Sequence, residues 1–109
     1  MPPLDLDRLM LPPEHLATLR SLLAQYTPEA DAWAYGSRMN GTAHEGSDLD
    51  VVLRHHDNPQ WEIPGWLDLK DALQNSMLPM LVEVHVWPQL PPGFQREIER
   101  GYGVVREGG

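Results

Sequence analysis

Eleven prolines and nine glycines stand as punctuation between the periodic segments of this chain, which limits it to short helices and short strands. Pro12-Pro13 precede Leu16, Leu19, Leu22, Leu23 and Tyr26, which recur at helical spacing, so Glu14 to Gln25 is predicted as an amphipathic helix ended before Pro28. Ala32-Trp33-Ala34-Tyr35 reads as a short strand stopped by Gly36, and Asp48 to Arg54 as a second strand. A polar turn, His55 to Pro59, leads to a helix from about Gly65 to Asn75 with Trp66, Leu69 and Leu73 on one face. Val82, Val84 and Val86 alternate through Leu81 to Trp87, the clearest strand of the chain. Phe94 to Arg100 reads as a short helix and Gly103 to Arg106 as an edge strand. Helices alternating with strands argue an α/β or α+β architecture.

At 109 residues the chain has room for one domain, spanning 1–109, with 1–12 expected to form a loosely ordered lead-in. It contains no cysteine, which removes disulfides and thiolate metal sites. The N-terminus mixes acids and prolines where a secretory signal needs a basic run and an apolar stretch. No apolar run approaches the roughly 20 residues of a membrane span, so a cytoplasmic location is expected. Sixteen acids against eight Lys and Arg give a formal net charge of -8, and direct nucleic-acid binding, which needs a basic surface, is not expected. That acidity suits a cation site, a basic protein partner, or solubility alone.

The chemistry concentrates in Tyr35-Gly36-Ser37 and, after ten further residues, Asp48-Leu49-Asp50. On a strand, alternate residues share a face, so Asp48 and Asp50 are expected to point together while Leu49 and Val51 enter the core. Two aspartates on one strand face repel each other, an arrangement relieved either by solvent at an edge strand or by a hard divalent cation. With Val82, Val84 and Val86 facing inward, Glu83 faces outward with Leu81 and His85. If its strand lies beside that of Asp48, three carboxylates converge into a site suited to two-metal phosphoryl transfer. Gly36 lets backbone approach a ligand closely, and Ser37 is placed to cap a short helix whose N–H groups face phosphate.

Gly36-Ser37 with Asp48-Leu49-Asp50 at this distance resembles the signature of the DNA polymerase β-like nucleotidyltransferase superfamily. The flanking text from Tyr35 to Ala43 and from Gly46 to Leu53 is similar to its minimal, single-domain branch. Leu78 to Val84 resembles that branch's third-acid strand, and Phe94 to Ile98 its final helix. The resemblance implies a mixed β-sheet flanked by helices, dependence on Mg²⁺ (two ions), and transfer of a nucleoside monophosphate, AMP from ATP or its counterpart from another NTP, to a hydroxyl. It implies Asp48 and Asp50 as metal ligands, joined by Glu83, which stands where the family usually has aspartate. Gly36 and Ser37 would contact the triphosphate, with Ser47 in the same phosphate-binding text. Members of the branch often serve as antitoxins beside a helical HEPN-type toxin, some by adenylylating it, which makes such a toxin the expected partner. The alternative is a module that keeps the fold and neutralises its partner by contact without the reaction.

Other residues divide between function and packing. Arg38 either binds the triphosphate or pairs with nearby acids. Met39-Asn40 replace the small residue and arginine often found there. His44 is placed to touch a phosphate or to be solvated, and His85 to orient Glu83 or to pack. His55-His56 read as a polar turn, because neighbouring side chains on a strand point opposite ways and no further ligands follow at metal spacing. Trp61, Trp66 and Trp87 read as core before they read as a stacking platform.

Overall fold

Near-continuous burial along the two central strands requires a sheet covered on both faces. The computed structural model describes residues 3–44 and 46–109. The first helix, α1 (Pro13–Tyr26), opens on a proline in its first turn and buries Leu19 and Leu23. It stops where the Thr27 backbone N–H and hydroxyl both turn back to the Leu23 carbonyl, at 2.9 and 3.1 Å. Strand β1 (Ala30–Tyr35) begins before the predicted Ala32. Alanine and aspartate are weak strand formers, and Ala30 and Asp31 are extended here because they pair with His55 and Arg54 across the sheet.

A single turn, α2 (Ser37–Asn40), separates β1 from β2 (Leu49–His55). α3 (Trp66–Gln74) buries Leu69 and Leu73, and β3 (Val82–Val86) buries its three valines. A 3-10 turn at Trp87–Gln89 leads to α4 (Pro92–Glu99), which buries Ile98, and then to β4 (Gly103–Arg106). The strand order is β3-β2-β1-β4. β1 is antiparallel to both β2 and β4, whereas β2 and β3 run parallel. The result is the mixed sheet with flanking helices expected of an α+β chain, with Gly103–Arg106 at an edge.

Both sheet faces are covered. Leu49, Val51 and Leu53 of β2 join Leu19, Leu23, Leu69 and Val84 in one cluster, under α1 and α3. The opposite face carries Val52, Trp33, Tyr35, Trp87, Tyr102 and Ile98 of α4. Burial of each of Val51, Val52 and Leu53, all at 0% exposure, is worth about 1.5–3 kcal/mol. Trp87 is core as expected, whereas Trp61 is exposed and Trp66 packs at the margin of the first cluster.

The segment before α1, expected as a loosely ordered lead-in, makes specific contacts with the domain. Residues 1–2 lie outside the described residues, but from there the segment docks. The Leu4 N–H donates to the Tyr102 carbonyl at 2.8 Å and the Met10 N–H to that of Arg38 at 2.8 Å. Leu6–Arg8 form a 3-10 turn, and Leu9 is buried in the main core. Apolar residues at 4, 6, 9 and 11 pack without a helical or strand period, so periodicity gave no sign of them. Among the described residues no helix is long and apolar enough to cross a membrane.

Candidate active site

β1 runs straight into the turn that organises the site. Gly36 follows Tyr35 with φ 78° and ψ -156°, a conformation open essentially to glycine alone. Its carbonyl accepts from the N–H groups of Met39 and Asn40, both at 3.0 Å. Gly36 thus occupies the cap position of α2 and Ser37 is its first residue; the serine hydroxyl does not cap the turn, as the sequence had suggested. A Cβ built on Gly36 would lie 2.5 Å from Asp50 Oδ2. The glycine turn and the acid strand therefore touch, and the missing side chain is what lets them do so.

Asp50 is paired on both sides. It stands opposite Tyr35 in the antiparallel ladder and opposite Glu83 in the parallel one, so β2 and β3 bring the second and third acids together as neighbours. Asp48 lies one residue before β2 begins at Leu49, and the same-face argument drawn from strand alternation does not reach it. Burial pushes the Asp50 carboxyl up from its ordinary value, Glu83 and Asp48 push it further, and His85 opposes them. Among the described residues no three His, Asp or Glu side chains converge closely enough to hold a metal ion, so the expected convergence is not a finished cage. The donor set still suits a hard divalent cation, being carboxylate oxygens whose mutual repulsion already raises Asp50.

The loop between α2 and β2 is held from inside. Arg38, 6% exposed, donates from Nε to the Ser47 carbonyl at 2.9 Å and from its terminal nitrogen to the Met10 carbonyl at 2.7 Å. Neither of those bonds goes to an acid. Ser47 Oγ accepts from the His44 N–H at 3.0 Å, the Ser47 N–H donates to the His44 carbonyl at 3.0 Å, and the Gly46 N–H donates to His44 Nδ1 at 3.2 Å. His44 and Ser47 thereby shape the turn that delivers Asp48.

The remaining histidines separate. His85 is half-exposed, with Nε2 3.8 Å from Glu83 Oε2. His55 ends β2, buried against Trp61 with ring centroids 5.0 Å apart. Its neighbour His56 pairs with Asp31 at 2.9 Å. They belong to different contacts and do not form a shared site.

A cleft of about 630 Å³ opens beside Asp50 and Glu83, walled by them, by Tyr35 and Gly36, by Phe94 of α4 and by Arg100 just after it. Phe94 meets the Tyr35 ring edge-on, with centroids 6.0 Å apart. Tyr35 is buried, and its hydroxyl is pushed well above its ordinary pKa by burial and by the charges of Asp50 and Glu83. Phe94 and Arg100 escaped the sequence reading as site residues. Nothing in the periodicity of a short helix says which strand end it will cover.

The sequence and the fold have known counterparts. Residues 17–106 match the family model described as polymerase beta, nucleotidyltransferase. The chain is 32% identical over 94 residues to the probable protein adenylyltransferase MntA of Haemophilus influenzae, covering 86% of this chain and 81% of that one. Its fold matches a crystal structure of a toxin-antitoxin with AMP-PNP, with a TM-score of 0.67, 17% sequence identity, and coverage of 84% of this chain and 73% of the other. A family match that starts within α1 and runs to the end of β4 takes in every strand of the sheet and both halves of the Gly36–Asp50 contact, and by it the chain belongs to the polymerase beta nucleotidyltransferase family.

Proposed function

We propose that this protein transfers AMP from ATP to a hydroxyl on a partner protein, and that it acts in the cytoplasm as the antitoxin of a helical HEPN-type toxin. The observation that carries this reading is the contact of the Gly36 turn with Asp50, which has Glu83 in register beside it at the wall of a cleft. The relative's description as a probable protein adenylyltransferase supports the choice of acceptor. The net charge of -8 suits a basic partner.

Asp48, Asp50 and Glu83 would hold Mg²⁺, which when bound offsets the phosphate charge and polarises the α-phosphate. The chain's own residues do the rest. Gly36 brings backbone against the triphosphate, Ser37 and Ser47 offer hydroxyls to it, and Arg38 keeps the loop that carries Ser47 in place. The acceptor oxygen attacks the α-phosphorus, the bond to the bridging oxygen breaks, and pyrophosphate leaves. The acceptor's proton passes to a carboxylate, for which Glu83, with its side chain 46% exposed, is the accessible candidate.

A second reading, a module that neutralises its partner by contact alone, draws on the absence of a finished acidic cage among the described residues and on the extra methylene of Glu83. The test is transfer of label from α-phosphate-labelled ATP with Mg²⁺ onto a co-purified partner, alongside Asp48→Asn/Asp50→Asn. Label on the partner that disappears in the variant supports the enzyme. A partner that stays bound and unlabelled supports contact neutralisation.

A further inference from the structure

The cleft wall contains a hydroxyl that the reaction as described leaves unused. Tyr35 is 8% exposed, its hydroxyl is still reached from the cleft that the residue lines, and a largely buried tyrosine ordinarily finds a hydrogen-bond partner for its O–H. Among the described residues it has none: its contacts are ring contacts, chiefly the edge-on meeting with Phe94. Two strong acceptors stand close. Asp50 is its direct partner across the sheet, and Glu83 is the next in line on β3, yet the hydroxyl bonds neither. It borders the cleft together with both of them and with Gly36.

We infer that Tyr35 is a nucleotide-binding residue whose hydroxyl donates a hydrogen bond to a phosphoryl oxygen of the substrate held at the Gly36 turn. The inference rests on the proposed nucleotidyl transfer and adds a contact to it. Three features favour a phosphoryl oxygen. Tyr35 is covalently joined to Gly36, so the hydroxyl-bearing ring and the backbone that approaches the triphosphate are fixed by the same strand end. The ring is clamped by Phe94 and by the aromatic cluster behind it, so no side-chain freedom is lost when the bond forms. On the strand side of the cleft the O–H is a donor set between Asp50 and Glu83, whose carboxylates only accept and repel a phosphate, while Arg100 lines the other side.

The test uses Tyr35→Phe, which keeps the ring and its packing and removes one oxygen. Affinity for AMP-PNP with Mg²⁺ is measured by calorimetry on wild type and variant, with thermal melting as a control on the fold. Affinity weakened about tenfold or more, as expected for a lost bond to a charged group, with an unchanged melting temperature, supports the inference. Equal affinity in both proteins overturns it while leaving nucleotidyl transfer intact. Wild type that binds no AMP-PNP overturns the proposed function itself, and this inference with it. Unchanged AMP-PNP affinity with a raised KM for the acceptor protein also overturns it, because the hydroxyl would then serve the acceptor.

Discussion

Gly36→Ala tests the geometry of the site most directly, because it separates a backbone effect from a side-chain one. At φ 78° and ψ -156° any residue with a Cβ is strained, at a cost of about 1–3 kcal/mol. Taking about 2 kcal/mol, and about 4 °C per kcal/mol for a domain near this size, the melting temperature should fall by about 8 °C. The new methyl would also sit 2.5 Å from Asp50 Oδ2, where ordinary contact needs about another ångström. The carboxylate is the free end of a side chain and yields by rotating, so this part of the clash adds little to the loss of stability. It shifts the carboxylate on which the proposed reaction depends, however, and a displacement of about 1 Å can cost about 100-fold in rate. Thermal melting gives the first number. Label transfer, assayed well below the melting transition, gives the second. A variant that melts lower yet transfers AMP at the wild-type rate would refute the claim that the absent side chain positions Asp50, and an unchanged melting temperature would refute the strain at Gly36.

Because Asp50 has a raised folded-state pKa, its ionisation opposes folding: stability from this group is complete below the unfolded carboxyl value and is lost as pH rises through the folded one. Asp50→Asn should therefore melt higher than wild type at pH 7, the gap should close in acid, and Mg²⁺ should stabilise only the wild type. His56 is raised chiefly by its hydrogen bond to Asp31, so its contribution is present below the unfolded histidine pKa and fades as pH climbs past the folded one. Asp31→Asn should lower the His56 titration midpoint followed by NMR, and an unmoved midpoint would show that the pair does not form. Gly65, with φ 86°, faces the Tyr26 carbonyl so closely that a Cβ would strike backbone. Gly65→Ala should cost about 3 kcal/mol in urea unfolding, whereas a loss under about 1 kcal/mol would mean that α1 and α3 are less tightly apposed.

Patterns along the chain revealed what depends on neighbours in sequence. Val82, Val84 and Val86 announced their strand and the outward face of Glu83, whereas the placing of that strand beside β2 entered only as the condition for the acids to converge. Strand order was not legible: β1 lies between β2 and β4 because of which faces find cover, a property of the assembled chain. Arg38 illustrates the limit more sharply. Among its acceptors are the carbonyls of Met10 and Ser47, contacts that its place in the motif does not announce, since every residue has a carbonyl. Asp48 was drawn into the strand by the apolar run after it, yet pairing starts only at Leu49, whose N–H meets the Leu81 carbonyl at 2.9 Å. The motif spacing tied Gly36 to the acid strand, but the closeness of Gly36 to Asp50 is set by the pairing of Tyr35 with Asp50 across the sheet.

The bonds of Arg38 reach in two directions. Through them one guanidinium joins residue 10 to residue 47, and the Met10 N–H returns to the carbonyl of Arg38 itself. Chain segments tied in this way open and close as one cooperative unit. Amides near residue 10 should then exchange their hydrogens in step with those of the turn at 44–47, although the two are far apart along the chain. Any molecule that quiets the turn will also shield the N-terminal arm from proteases. Binding at the turn should then be readable from the opposite end of this strap, by the rate at which the segment up to Met10 is trimmed away.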